Sequence, residues 1–89
     1  MSYTEEIIDM LMEENPSAQL AEGLDDAVIG ISRNHWHHKD SIAVYDIGLI
    51  IDILVERDGM TVQGAYEFFE FNIQGSWVGE NTPLFVQTS

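Results

Sequence analysis

Apolar residues recur at helical spacing near the start of the chain. Ile7, Ile8, Leu11 and Met12 share one face, and Glu6, Asp9 and Glu13 lie on the opposite one, which predicts a helix over residues 4–14. Ser2 and Glu5 stand at capping-box spacing, and Asn15-Pro16 stops the pattern. Residues 17–23 read as a further short turn of helix ended by Gly23. Asp25-Asp26 is a turn signal. Two short apolar runs follow, 27–31 and 42–45, separated by a polar stretch; they predict an antiparallel strand pair joined by a long hairpin connection.

Asp46 is placed to cap a helix over 47–57. Its apolar set is broad, and only Gly48, Asp52 and Glu56 form a polar stripe at i, i+4, i+8. A helix this apolar is expected to be central and buried on most sides. Gly59 fits the left-handed position past its end. Thr61 can cap a third helix over 62–73, with Val62, Ala65, Tyr66, Phe69 and Ile73 toward the core. Phe68 and Phe71 fall off that face and need a cover, either the C-terminal tail (Trp77, Val78, Leu84, Phe85, Val86) or another chain. Residues 84–86 can add an edge strand or lie as an extended arm. The expected fold is therefore α+β, a small two- or three-stranded antiparallel sheet packed against two to three helices. At 89 residues and 10.1 kDa, residues 1–89 are expected to form a single domain with one modest core.

Charge changes the picture most. Sixteen acids face three bases, for a net charge of −13. Residues 1–26 carry Glu5, Glu6, Asp9, Glu13, Glu14, Glu22, Asp25 and Asp26 without one Lys or Arg. Such a chain is not expected to bind nucleic acid, which requires cations to replace counterions, nor an anionic membrane surface. No apolar run is long enough to span a bilayer. The first residues have neither a basic n-region nor an apolar h-region, so no signal peptide is expected. Cysteine is absent, which excludes disulfides and thiolate chemistry. No nucleotide-binding, hydrolase or EF-hand motif is present, so no enzyme activity and no cofactor are expected.

Three constellations remain. In His35-Trp36-His37-His38-Lys39-Asp40, His35 and His37 share a face of an extended segment and could ligate a metal with Asp40; the alternative is an ordinary exposed loop. The pairs Asp52/Glu56 and Glu67/Glu70 could hold a cation or do acid–base work, or simply face solvent. The acidic N-terminal third carries like-charge i, i+4 pairs, Glu5–Asp9 and Asp9–Glu13, each unfavourable by a few tenths of a kcal/mol. A surface that keeps this cost reads either as a solubility device or as one built to meet a basic patch, steered electrostatically. Sixteen acids over a surface of roughly 5,000 Å² give about one per 300 Å². B-DNA carries on the order of one charge per 100 Å², so mimicry of DNA requires clustering, which residues 5–26 offer. Phe68, Phe71, Trp77 and Phe85 exceed the needs of one core face and form either a tail contact or a homodimer seam.

The words Glu56-Arg57-Asp58-Gly59-Met60-Thr61, Glu67-Phe68-Phe69-Glu70-Phe71-Asn72, and Gly75, Trp77, Gly79-Glu80, Thr82-Pro83 and Phe85 resemble a small acidic protein family of tailed bacteriophages with unassigned function. The resemblance covers about residues 24–86. It implies a phage origin and a place in the host-cell cytoplasm, and it assigns no catalytic or binding residue. Small acidic phage proteins often inhibit host nucleases, restriction systems, CRISPR effectors or polymerases. By that analogy the expected function is a protein–protein interaction: inhibition or modulation of a nucleic-acid-handling partner in evasion of host defence.

Overall fold

The computed structural model describes residues 3–33, 41–76 and 81–88. Helix α1 (Tyr3–Glu14) is followed by an irregular segment and a 3-10 turn (Asp25–Ala27), then strands β1 (Val28–Ser32) and β2 (Ile42–Asp46). Helices α2 (Ile47–Glu56) and α3 (Val62–Phe68) come next. A π-helical turn (Phe69–Ile73) and a 3-10 turn (Gln74–Ser76) extend α3, and strand β3 (Leu84–Val86) closes the sheet. The α+β class holds, with the sheet in the order β1-β2-β3.

The β1–β2 pair is antiparallel, Val28 opposite Tyr45 and Ser32 opposite Ile42, with a bulge at Ile29. β3 joins β2 in parallel, Val44 opposite Leu84 and Asp46 opposite Val86. The sheet is therefore mixed, where an all-antiparallel one was expected. The cause lies in the connection: α2 and α3 carry the chain back across the sheet before β3, as a parallel crossover requires.

The core runs through every layer. Ile7 and Leu11 of α1, Val28, Ala43 and Tyr45 of the sheet, Ile50, Ile51 and Leu54 of α2, and Ala65, Phe69 and Ile73 beyond it form one buried cluster. On α1 the predicted stripe holds, Ile7 and Leu11 buried with Ile8 and Met12 packed beside them. α2 buries only one side, since Leu49, Asp52 and Glu56 are exposed. On α3 the expected core positions Val62 and Tyr66 are exposed instead. Thr61 caps α3 as expected, its hydroxyl accepting from the Gly64 N–H at 3.0 Å. Asp46 stands at the N-cap of α2, but its carboxylate accepts from the Thr88 hydroxyl at 3.0 Å and not from the helix.

Residues 17–23 form no helix, and their hydrogen bonds show why. The Ser17 N–H donates to Asn15 Oδ1, the Gln19 N–H to the Asn81 carbonyl, and the Ala21 N–H to Tyr45 Oη. Donors that would build a helical turn are drawn to a side chain or to distant acceptors instead. Gly23 then turns the chain at a φ of +80°, a left-handed conformation that disfavours any side chain.

Tyr45 has no exposed surface. Burial is the main force raising its phenol pKa; the Ala21 N–H opposes it, and the charge of Asp25 adds to it. Tyr45→Phe leaves the buried Ala21 N–H without its acceptor at 2.8 Å. The expected cost is about 1–3 kcal/mol, read in thermal denaturation as a fall of roughly 4–8 °C in Tm for each kcal/mol. An unchanged Tm would show that water takes over the bond.

Candidate functional site

The buried stripe of α1 leaves its opposite side to solvent, where Glu5, Glu6, Asp9 and Glu13 are all exposed. Helical geometry brings these four positions within about 100° of arc. Glu22, Asp25 and Asp26 are exposed as well. The 3-10 turn bearing the two aspartates packs against both α1 and α2, so the acids of the two segments lie on neighbouring elements.

Glu14, expected to share this face, is instead taken up by the fold. Its Oε1 accepts from Arg33 Nε at 2.7 Å and from the Ser41 hydroxyl at 2.7 Å, and its Oε2 accepts from Arg33 Nη2. The hydrogen bond from Arg33, then that from Ser41, bring the Glu14 carboxyl down to about 2 against desolvation. Arg33 is raised in turn, chiefly by the same bond. The other described cation, Arg57, forks onto the two Asp58 oxygens at 3.0 and 3.1 Å and donates through Nη1 to the Gly23 carbonyl at 2.6 Å. Its bond to Asp58 raises Arg57 and lowers Asp58. Both guanidiniums are about half exposed, so each pair adds little stability by itself. Their effect is on availability: among the described residues, both arginines are occupied within the fold.

The aromatic surplus divides. Phe85 packs inside its own chain, its ring 5.6 Å from Tyr45 and edge-on to Phe69 at 5.3 Å. Phe68 is 38% exposed and Phe71 78%. Trp77 lies outside the described residues. So do His35, His37 and Asp40, the residues of the candidate metal site. Among the described residues, no three His, Asp or Glu side chains gather as a metal site would require. Asp52, Glu56, Glu67 and Glu70 all face solvent, and Glu67 accepts a long bond from Gln63 at 3.4 Å.

A cleft of about 420 Å³ opens between residues 20–24, the end of α2 and the π-helical turn. Sequence patterning did not reveal it, because its walls come from three separate segments. The visible signal was Phe68, an aromatic off its helix's core face. Comparisons with protein-family models, curated proteins and solved structures found no match. No helix among the described residues is long and apolar enough to cross a membrane.

The Glu14 clasp sets a pH dependence. A carboxyl held lower in the folded state contributes stability above its unfolded pKa and loses it as pH falls toward its folded value. Wild type is therefore expected to exceed Glu14→Gln in stability at neutral pH, with the gap closing between about pH 4.5 and 2. Urea denaturation of both proteins across that range reads the gap; a constant difference would mean that the clasp does not depend on charge.

Proposed function

We propose that this protein is a non-enzymatic interaction protein of phage origin. It docks its acidic surface on a basic, nucleic-acid-handling protein of the host cytoplasm and blocks or modulates it. One observation carries the reading: Glu6, Asp9, Glu13, Glu22, Asp25 and Asp26 stand exposed while Arg33 and Arg57 are tied to Glu14 and Asp58. Interspersed cations would relieve the like-charge repulsion along α1, and large fields of one sign suit electrostatic steering; this surface keeps its like charges in series.

The partner is recognised by field and not by literal likeness to DNA. Spread over 5762 Å², the sixteen acids average about 360 Å² each, several times sparser than the roughly 100 Å² per phosphate charge of B-DNA. Among the described residues, the α1 face and the neighbouring turn gather the acids that would compete for a basic groove, and such an encounter is fast and salt-sensitive. A second reading, self-association, draws on the 78% exposure of Phe71; a monomeric mass at high concentration removes it.

The triple variant Glu6→Lys, Asp9→Lys, Glu13→Lys is expected to lose low-salt capture of a basic nucleic-acid-binding protein from host lysate while its circular dichroism stays unchanged. Wild-type capture should be released by high salt and by competing duplex DNA. Capture by the triple variant equal to wild type would overturn the reading.

A further inference from the structure

The cleft beside the acidic surface has a floor and a rim of different chemistry. Leu24, Leu54 and Ile73 are almost fully buried beneath it, and Phe68 stands at its lip, 38% exposed. Its volume of about 420 Å³ lies within the ~300–1,000 Å³ usual for ligand sites. Around the mouth are Glu22, Asn72 and the Arg57–Asp58 pair. Because Arg57 is matched by Asp58 and anchored to the Gly23 carbonyl, the charge left over at the mouth is that of Glu22. Asp25 and Asp26 follow it in the chain.

The wider turn after α3 contributes to this shape. The Gln74 N–H donates to the Phe69 carbonyl, five residues back, so the chain is locally overfull by one residue per turn. Phe69 and Ile73 stay buried, while Phe68 and Asn72 line the cleft. π-helical turns are unfavourable in isolation and are often retained at functional sites.

We propose that this cleft receives a large aromatic side chain, an indole, presented by a basic segment of the partner protein. The inference rests on the acidic-docking reading and adds the anchor that a charged rim alone lacks, since interface energy concentrates in a few residues, aromatic ones prominent among them, set in desolvated pockets. Charge complementarity selects the occupant. A second copy would bring another −13 to an already acidic mouth, whereas a Lys- or Arg-flanked segment lays its cations against Glu22, Asp25 and Asp26 as its apolar residue enters.

The test titrates the ¹⁵N-labelled protein with three synthetic peptides: a tryptophan between lysines and arginines, the same peptide with alanine for tryptophan, and the tryptophan between glutamates. The basic tryptophan peptide is expected to move the amides of Leu24, Arg57 and Ile73 and to bind about tenfold tighter than its alanine counterpart. The glutamate peptide should not bind. Asn72→Trp, a change at an exposed position that fills the cleft, should erase the tenfold preference and leave the rest of the spectrum in place.

Equal binding of the two basic peptides, with shifts confined to α1, would overturn the anchor inference and leave the acidic reading standing. Equal binding of the two tryptophan peptides would also overturn it, by showing a cleft indifferent to charge. Movement of the same amides with protein concentration alone would assign the cleft to a second copy and overturn it. Failure of both basic peptides to bind at low salt would overturn the inference and count against the reading beneath it.

Discussion

The end of α1 holds together stretches of chain that are distant in sequence. Asn15 is nearly fully buried, and its side chain donates both amide protons, to the Ser41 carbonyl at 2.8 Å and to Asn81 Oδ1 at 3.0 Å, while accepting from the Ser17 N–H. A buried primary amide left unsatisfied is costly; here one donor and acceptor set joins the start of β2, the approach to β3 and the segment after α1. Glu14, its neighbour, fastens the end of β1 to the same place through Arg33 and Ser41. The sheet is thus bound at one end by the last residue of α1 and the residue after it, neither of them part of the sheet. The irregular path of residues 17–23 follows, because their backbone donors are directed at that junction and at Tyr45.

Scarcity of positive charge explains the character of the surface. With three bases to sixteen acids, a cation committed to the fold is withdrawn from a face that it would otherwise neutralise. Arg33 closes the Glu14 junction and Arg57 closes the turn at Gly23. Among the described residues, what remains outside is dominated by charge of one sign. The protein accepts like-charge contacts along α1 because its core, running from Ile7 to Ile73, does not depend on surface pairing.

Much of this fold was legible in local pattern. The stripe of α1, both antiparallel strands, the extent of α2 and the Thr61 cap follow from spacing and from one hydroxyl at the right offset. What escaped reading depends on distant partners. Nothing near Glu14 announces Arg33, nineteen positions away, so the carboxylate looked like one more surface acid. The parallel placement of β3 is a property of the whole crossover, and three residues cannot encode it. The π-helical turn is also hidden, since Phe69 and Ile73 fit an α-helix as well. Of the candidate site, the exposed acids were readable from the amphipathic stripe, and Phe68 was readable as a misfit. The cleft itself was not, because its floor is assembled from three segments.

The mixed sheet also has a temporal meaning. β2 is the central strand, and one of its edges meets β1, which precedes it directly among the strands, while the other waits for residues 84–86. Contacts between segments so far apart are slow to form, because a long loop must be closed before they stabilise anything. During synthesis the hairpin and α1 can associate early, whereas Tyr45 and Phe69 receive the Phe85 ring only when nearly all of the described chain has emerged. Until then the edge of β2 that pairs with β3 lacks its partner strand. An unpaired strand edge is a template for pairing with another chain, and a net charge of −13 sets identical chains to repel one another.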